Sequence, residues 1–513
     1  MARELGEKRE RNQEVKVVSQ EVLQVFDKYT GELIDSVPAD TKATLAEKVR
    51  RVAKAGEALG DMDFFERAQW LGKVATRLRF KKKELKELVV AEGGLPVKYS
   101  EWELSIVING FKFCEWYDQF VQERPLTNVG GEPVAKLRHV PRGLAACVGP
   151  RNTPISLPLY MLGANYLVGN PSIVKPSTAC PLTMHRAVEL MADVGLPALD
   201  STKLVVAPGD WAVDEFLRND LVRTLLVVSA SHTAKDILVR YARMLRKSAD
   251  KSMGVAMYSK PFKHFIFECA GNDAGIVMDD VNLERVAKWN VQASFTNSGQ
   301  QCFSMKRIIV HQDVYDDYVE ALIRETEKLK WGDPRDPSVD IGPLGSRRIL
   351  MMMEVMVADA RDHGAPVLTG GGKVDPGGSH GLFFEPTLVE IRPELCEDLS
   401  KAPFLWREEA FGPVRSVTKA TDLRDAIRLA NASHYGMRAV VYCADQSKVP
   451  EFVRRLDAGS IYVNAKPMLT DITVAMGGIK DSAFPAGAKY YPQDLVYQKY
   501  VYDGSAQFLD DVA

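Results

Sequence analysis

The chain has 513 residues, more than one hydrophobic core normally organises, which indicates two or three domains. Its 66 lysines and arginines nearly balance its 68 aspartates and glutamates, so the formal net charge of −2 excludes a general attraction to nucleic acid or to an acidic membrane. Hydrophobic residues make up 46% of the chain, as in ordinary globular proteins, and no apolar run approaches the roughly 18 residues of a membrane span.

The N-terminus and the cysteines indicate the compartment. Residues 1–13 are charged and mixed in sign, without the apolar stretch of a secretory signal. The seven cysteines are scattered, and none forms a Cys-x-x-Cys pair. Such a set argues against a disulfide framework or a zinc ribbon. We therefore expect a cytoplasmic protein without a metal site.

The first part of the chain predicts extended segments followed by helices. Residues 20–38 read as extended pieces around a turn. From about 40 to 122 the apolar residues recur with a helical period, so that Leu45, Val49 and Val52 fall on one face.

The middle of the chain predicts a parallel sheet. Between 140 and 230, short apolar runs alternate with helical stretches, a pattern typical of an α/β doubly wound sheet. The runs that we predict as buried strands are 143–149, 171–175, 204–207 and 224–229. A second alternating block extends from 268 to about 465, and the β-prone tail 490–502 suits an edge strand that pairs with another subunit.

Cys302 is the first candidate for chemistry. A free cysteine is usually an inert buried residue. Here the polar turn 297–301 precedes it and follows an apolar run. If this turn leads into a helix, its backbone N–H groups favour a thiolate and bind an oxyanion.

Two further segments add a carboxylate and an amide. Glu268 follows the apolar residues 265–267, and its desolvation would raise its pKa toward that of a general base, unless a lysine or arginine pairs with it. Asn152 lies in a Pro-bounded turn, either as a turn former or as a donor to a developing alkoxide. A thiol, a carboxylate and an amide are the groups needed to oxidise an aldehyde through a thioester.

The order and approximate spacing of these three motifs resemble the aldehyde dehydrogenase superfamily, and the resemblance covers nearly the whole chain. Other segments that match are Lys175-Pro-Ser-Thr178, Gly332-Asp-Pro334, Asp340-Ile-Gly-Pro343, Glu408-Glu-Ala-Phe-Gly-Pro413 and Gly477-Gly-Ile-Lys-Asp-Ser482.

The resemblance implies an α/β fold with three parts. These are a doubly wound, Rossmann-like cofactor domain (14–132 with 151–267), an α/β catalytic domain (268–466) and a small β oligomerisation element (133–150 with 482–513). The expected assembly is a homodimer or homotetramer, and the expected partner is a small-molecule aldehyde.

The resemblance also implies residue roles. Cys302 would attack the aldehyde, Asn152 would hold the oxyanion, and Glu268 would activate water to hydrolyse the thioester. No metal is required. The residues expected to bind NADP or NAD are Lys175, Ser177, Thr178, Gly209, Ser231, Glu409 and Phe411.

Two departures from the family pattern concern the cofactor. Thr178 stands where members that prefer NAD typically have a glutamate, which repels a 2′-phosphate, so NADP is slightly favoured over NAD. Ser229 replaces a glycine of the usual Phe-Thr-Gly-Ser segment, which places the close approach of the backbone to the pyrophosphate in doubt.

Other departures predict a polar substrate tunnel. Arg151 and Thr153 replace the usual tryptophan and phenylalanine beside Asn152, and Thr296 replaces a frequent aromatic residue. Arg151 either recognises a substrate anion or points into the scaffold. The full set of predicted pocket residues is Arg151, Thr153, Ser156, Tyr160, Thr296 and Phe303.

Two alternatives remain at this point. In a CoA-acylating dehydrogenase, CoA rather than water accepts the acyl group, but such members generally lack a base at the position of Glu268. A non-catalytic scaffold that retains the fold is the alternative of another class.

Overall fold

A computed structural model of the chain describes residues 17–19, 22–247, 249–250, 257–258, 260–377, 379–465, 477–487 and 491–502. The helices are α1 (Lys42–Asp61), α2 (Phe64–Phe80), α3 (Lys82–Gly93), α4 (Val97–Lys112), α5 (Ser156–Leu167), α6 (Leu182–Asp193), α7 (Gly209–Arg218), α8 (Ser231–Lys247), α9 (Leu283–Phe295), α10 (Tyr315–Thr326), α11 (Arg347–Asp362), α12 (Phe404–Arg407), α13 (Leu423–Asn431) and α14 (Val449–Arg455).

The strands are β1 (Val17–Ser19), β2 (Val22–Phe26), β3 (Leu33–Pro38), β4 (Arg124–Thr127), β5 (Pro133–Pro141), β6 (Ala145–Val148), β7 (Ser172–Lys175), β8 (Thr202–Leu204), β9 (Thr224–Val228), β10 (Ala249–Asp250), β11 (Met257–Tyr258), β12 (His264–Glu268), β13 (Asp273–Val277), β14 (Met305–His311), β15 (Val367–Thr369), β16 (Lys373–Val374), β17 (Phe383–Phe384), β18 (Thr387–Glu390), β19 (Val414–Ala420), β20 (Tyr435–Gly436), β21 (Arg438–Tyr442), β22 (Ser460–Val463), β23 (Ile479–Lys480), β24 (Ala483–Phe484) and β25 (Val496–Val501).

Sheet A has the strand order β24-β12-β9-β6-β7-β8, and all of its strands are parallel except β24. Successive residues of a strand point to opposite faces, so Ala146 packs with α1, α7 and α8 while Cys147 packs with α2, α4, α5 and α6. Helices on both faces of a parallel sheet are the predicted doubly wound arrangement, which is confirmed. The strand expected at 204–207 instead ends at Leu204.

Sheet B has the order β15-β18-β19-β14-β13-β21-β22 and is parallel except for β15. Its two faces carry separate apolar cores, one with α11 and α13 and the other with α9 and α10. The second alternating block of the sequence therefore forms a second α/β unit.

Sheet C is small and antiparallel, with the order β25-β5-β4. The aromatic tail provides its edge strand β25, as the sequence predicts for residues 490–502. The three-part division of the chain stays a prediction. Residues 145–148 and strand β24 pair within sheet A, and β4 pairs with β5 in sheet C.

Within the described ranges, no helix has the length and apolar character that crossing a membrane requires.

Candidate active site

The predicted thiol and carboxylate are adjacent at the carboxyl edge of sheet A. Glu268 is the last residue of β12, and the turn with Asn152 follows β6 in the same parallel sheet. Cys302 comes from the other unit, in the loop between α9 and β14. Its Sγ donates a hydrogen bond to Glu268 Oε1 over 3.5 Å. Cys302 and Glu268, which are 34 positions apart in the sequence, are thus close enough to act on the same substrate atom.

The turn before Cys302 has an unusual backbone. Asn297, Ser298 and Gly299 all have left-handed conformations, with φ of 55°, 56° and 72°. Such conformations are strained for the first two residues and persist only when their surroundings fix them. Asn297 Nδ2 donates to the carbonyl of Asn152 over 3.1 Å, and Ser298 Oγ donates to the carbonyl of Gly342 over 2.8 Å. The turn 297–301 is therefore hydrogen-bonded to the turn that contains Asn152.

The expectation that this turn leads into a helix is wrong. The chain passes from Cys302 through a short turn into strand β14. The apolar residues after Lys306 are β-branched, which favours a strand over a helix. Any backbone donor for an oxyanion therefore comes from the turn itself.

Burial and charge act in opposite directions on Cys302. Burial raises the pKa of its thiol well above the ordinary value, and the charge of Glu268 raises it further, whereas Lys306 lowers it. The other six cysteines are buried, and burial likewise raises the pKa of Cys269 to about 12. Among the seven cysteines, Cys302 is the one that is only half-buried, and the carboxylate of Glu268 lies beside it.

Lys306, which the sequence analysis did not single out, lies below the nucleophile. Its fully buried Nζ donates to the carbonyls of Gln301 (2.7 Å) and Cys302 (2.8 Å) and is 3.2 Å from Glu409 Oε1. The same Glu409 oxygen accepts the backbone N–H of Gly271 over 3.0 Å. A Cβ on Gly271 would be 2.2 Å from the carbonyl oxygen of Cys302, so only glycine fits there.

Arg415 joins the nucleophile turn to the loop before β19. Its fully buried guanidinium donates to the carbonyls of Gly412 (2.7 Å) and Gly299 (3.2 Å) and to Ser304 Oγ (3.1 Å). The sequence contains a signal that could have identified Lys306 and Arg415, because each is a charged residue within a largely apolar strand. Such a residue requires buried partners.

Asn152 is buried, and its carbonyl accepts the bond from Asn297. Within the described part of the chain, no hydrogen bond engages its side-chain amide. The amide is thus available to a substrate oxygen.

Arg151 is held by the scaffold. Its Nη2 donates to Gln300 Oε1 and its Nη1 to the carbonyl of Gly93 over 3.3 Å. Gly345 packs against the guanidinium, because a Cβ there would be 1.6 Å from Arg151 Cζ. Gln300 Oε1 also accepts the N–H of Gly345 over 2.9 Å. Of the two orientations expected for Arg151, the structure has the one in which the side chain points into the scaffold.

The predicted pocket hydroxyls also have partners within the protein. Ser156 Oγ donates to Glu103 Oε1 over 3.2 Å, and Thr296 Oγ1 donates to the carbonyl of Gln292 over 2.5 Å. Tyr160 pairs with the hydroxyl of Tyr117 at 3.0 Å. Thr153 is buried, and Phe303 is buried with its ring 6.1 Å from that of Trp102.

Two buried glutamates that the sequence analysis missed hold helix N-termini near the site. Glu103 of α4 accepts the N–H groups of Ile155 and Ser156, each over 3.0 Å, at the start of α5. Glu92 of α3 accepts those of Leu182 (2.9 Å) and Thr183 (2.7 Å) at the start of α6. Burial raises the pKa of each carboxyl to about 7.

The expected cofactor residues lie where strands of sheet A end and helices begin. Lys175 ends β7 and is buried, which lowers its pKa to about 8, and its Nζ donates to the carbonyl of Pro176 over 2.7 Å. Ser177 and Thr178 follow it, half-buried. Gly209 begins α7, and no atom lies within 4 Å of the position of its missing Cβ.

The start of α8 and the loop before β19 complete this set. Ser231 is the first residue of α8, and its hydroxyl donates to the carbonyl of Asp481 over 2.6 Å. Ser229, the departure from the family pattern, donates its N–H to the carbonyl of Glu268 over 3.0 Å. Glu409 is near the nucleophile, and Phe411 is half-buried. Helix N-termini, a buried cation and open space at Gly209 fit a dinucleotide at this edge.

The model of the aldehyde dehydrogenase family matches residues 15–500. The chain is 27% identical to a succinate-semialdehyde dehydrogenase (NADP(+)) of Deinococcus radiodurans, over 89% of each chain. It is 28% identical to a D-glyceraldehyde dehydrogenase (NADP(+)) of Picrophilus torridus, over 87% of this chain and 85% of the relative.

Solved structures share the fold. The lactaldehyde dehydrogenase of Escherichia coli superposes with a TM-score of 0.84 at 24% identity, over 95% of this chain and 96% of that one. An aldehyde dehydrogenase of Physcomitrella patens in complex with the reaction product succinate gives a TM-score of 0.83 at 24% identity, over 94% and 95%.

Proposed function

The chain belongs to the aldehyde dehydrogenase family, and on this premise we propose that it oxidises a small polar aldehyde to the carboxylic acid with NADP or NAD. The observation that carries the proposal is the contact of Cys302 Sγ with Glu268 Oε1 at 3.5 Å, beside the turn of Asn152. A nucleophile and its base within reach of each other are the parts that covalent catalysis needs.

In the proposed reaction the Cys302 thiolate forms a bond to the carbonyl carbon of the aldehyde, and the carbonyl oxygen becomes an alkoxide. The amide of Asn152, which has no competing bond in the described structure, donates to that oxygen together with the N–H of Cys302. When bound, the nicotinamide supplies the hydride acceptor. The alkoxide then re-forms a carbonyl, which leaves an acyl thioester on Cys302.

Glu268 accounts for the second half of the reaction. Its carboxylate accepts a proton from water, the hydroxide oxygen bonds to the acyl carbon, and the thiolate leaves as the acid forms. The carboxylate at this position favours hydrolysis over transfer to CoA. A non-catalytic scaffold has no need to keep a half-buried thiol beside such a base.

The cofactor residues proposed are the seven that line the carboxyl edge of sheet A and the loop before β19. Lys175 and Thr178 would contact the adenosine ribose, and a threonine rather than a carboxylate there favours NADP. Ser231 and Gly209 at helix N-termini would face the phosphates, and Glu409 with Phe411 the nicotinamide ribose. The relatives named above as NADP(+) enzymes support this preference.

The substrate class proposed is a small aldehyde that bears a hydroxyl or a carboxylate. The relatives named for succinate semialdehyde and D-glyceraldehyde support it. The predicted pocket residues Thr153, Ser156, Tyr160, Thr296 and Phe303 remain proposals, whereas the scaffold bonds of Arg151 argue against a role in binding a substrate anion. A cytoplasmic homodimer or homotetramer that associates through β25 is proposed as well.

The test is the initial rate of NADP⁺ and NAD⁺ reduction, followed by absorbance, without CoA. Succinic semialdehyde, lactaldehyde and D-glyceraldehyde would be compared with hexanal and benzaldehyde. We expect turnover with a polar aldehyde, a higher kcat/KM with NADP⁺, and loss of at least about 10³-fold in kcat for Cys302→Ala. Turnover that requires CoA would replace the proposal with the acylating reaction. Folded protein without turnover under either condition would revive the scaffold.

A further inference from the structure

Lys306 is a fully buried lysine with no part in the reaction just described. It lies on β14, and its Nζ has three partners, which are the carbonyls of Gln301 and Cys302 and the carboxylate of Glu409. An ammonium group has three donors, so these contacts use all of them. Two of the three fix the main chain at the nucleophile.

Placing a cation here is costly without compensation. Burying an ion in a protein carries a large desolvation penalty, and replacing a whole buried ion pair by apolar residues is often neutral. Burial lowers the pKa of Lys306, while the charges of Glu409 and Asp273 oppose this effect. The ion pair with Glu409 at 3.2 Å, the charge of Asp273 and the two carbonyl acceptors together favour the ammonium form beneath Cys302.

The charges around the thiol are mostly negative. Glu268, Glu409 and Asp273 each disfavour the thiolate of Cys302, and Lys306 is the positive group that favours it. Asp273 is itself paired with Arg438, with 3.4 Å between Oδ2 and Nε. Arg415 and Arg438 also lie at this turn, where they donate to the carbonyls of Gly299 and Phe303, but Lys306 is the cation that donates to the carbonyl of Cys302 itself.

We infer that Lys306 is a positioning residue that holds the main chain of Cys302 and supplies the positive charge that favours its thiolate, and that Glu409 moderates this charge. The inference rests on the proposed role of Cys302 as the nucleophile. It assigns Glu409 an effect on the thiol that needs no bound cofactor.

The inference makes opposite predictions for the two partners. Lys306→Met keeps the length of the side chain but removes the charge and the donors, so the thiolate becomes harder to form. Glu409→Gln removes a nearby negative charge, while Asp273 and the two carbonyl acceptors still favour the ammonium form of Lys306, so the thiolate becomes easier to form. A purely structural role would impair Cys302 in the same direction in both variants.

The experiment measures the rate at which iodoacetamide alkylates Cys302 in the full-length protein, from pH 6 to 10, without cofactor or aldehyde. Mass spectrometry of the peptide that contains Cys302 gives the rate at that site. For Lys306→Met we expect the rising limb of the pH profile to move up by about one pH unit, so that alkylation at pH 8 slows about tenfold. For Glu409→Gln we expect the rising limb to move to lower pH, so that alkylation at pH 8 becomes faster.

Lys263 provides a matched control. It is also buried, and its Nζ donates to the carbonyls of Asn219 and Val222, each over 2.7 Å, at the amino end of β12. Lys263→Met should leave the alkylation profile of Cys302 unchanged. If Lys306→Met does not fold, as judged by circular dichroism, the downward shift in Glu409→Gln still decides the question.

An unchanged profile in either folded Lys306→Met or folded Glu409→Gln, or shifts in the same direction, would overturn the inference. The outcome is separable from that of the proposed function, because alkylation requires no turnover. A protein that shows both opposite shifts but oxidises no aldehyde would contradict the proposed function and leave the inference intact.

Discussion

At the scale of single residues, the site pairs the proposed nucleophile with the proposed base. The thiol of Cys302 contacts Glu268 over 3.5 Å, yet the charge of that carboxylate raises the pKa of the thiol. A permanent negative charge beside the nucleophile is therefore a cost in the first step. Hydrolysis of the acyl enzyme would explain why Glu268 is there, because a base must then reach the water that attacks the acyl carbon on Cys302.

Glu268→Gln should separate the two steps. We expect a burst of reduced cofactor of about one equivalent per active site, followed by a steady-state rate slowed by about 10²–10⁴-fold, because acyl transfer to water loses its base. Stopped-flow absorbance would measure both phases. Added hydroxylamine, which needs no base to attack a thioester, should restore turnover. Equal loss of burst and steady state would instead assign Glu268 to activation of the thiol.

At the scale of elements, the site depends on close contact between loops of two sheets. The turn 297–301 belongs to the unit of sheet B, and the loops after β6 and β12 belong to sheet A. Gly271 allows the contact, because a Cβ there would be 2.2 Å from the Cys302 carbonyl oxygen. Within the unit of sheet B, Gly299 allows a similar approach, because a Cβ there would be 2.3 Å from the Gly412 carbonyl oxygen.

Gly271→Ala should therefore impair catalysis through the backbone of Cys302. The added methyl group displaces the carbonyl that Lys306 holds, so we expect kcat to fall more than about tenfold and stability to fall by about 1–3 kcal/mol. Steady-state kinetics and thermal unfolding would measure these effects. Gly72→Ala in α2 is the control, because no atom lies within 4 Å of the added Cβ.

The control should keep full activity and gain about 0.5–1 kcal/mol, because alanine loses less conformational entropy than glycine in a helix. Activity of Gly271→Ala equal to that of the wild-type protein would show that the loops tolerate separation at this point.

At the scale of the whole molecule, buried carboxyls link the N-terminal helices to the helices of sheet A. Glu103 joins α4 to the start of α5, and Glu92 joins α3 to the start of α6. Burial raises the pKa of each carboxyl from its ordinary value of 4.5 to about 7. Between pH 4.5 and 7 the folded protein therefore retains protons that the unfolded chain has lost. Their stabilising contribution is full below about pH 4.5 and is lost as the pH rises through 7.

Glu103→Gln should remove its share of this pH dependence. All three bonds that Glu103 accepts go to Oε1, which the glutamine carbonyl can replace. Relative to the wild-type protein, we expect the variant to become more stable by about 1–3 kcal/mol as the pH rises from 5 to 8. Denaturant unfolding of both proteins at the two pH values would measure this difference. A constant difference would mean that Glu103 is ionised throughout the range.

The sequence by itself determined the set of reacting groups and the class of fold. Strand–helix alternation is a local pattern, so the parallel sheets were predictable, and the residue types of Cys302, Glu268 and Asn152 limit the chemistry without any coordinates. The sequence also predicted the edge position of the last strand from its aromatic, β-prone composition.

Only the tertiary structure decided how the remaining side chains are used. Several hydrogen bonds of the site join residues that are far apart in the sequence. The separation is 149 residues for Arg151 and Gln300, 53 for Ser156 and Glu103, and 138 for Gly271 and Glu409. No local pattern encodes these partners, because hydrogen-bond partners of buried polar groups are chosen by which elements pack together. The sequence did not single out Lys306 for the same reason. Only the fold brings its ammonium group to the carbonyl of Cys302 and the carboxylate of Glu409.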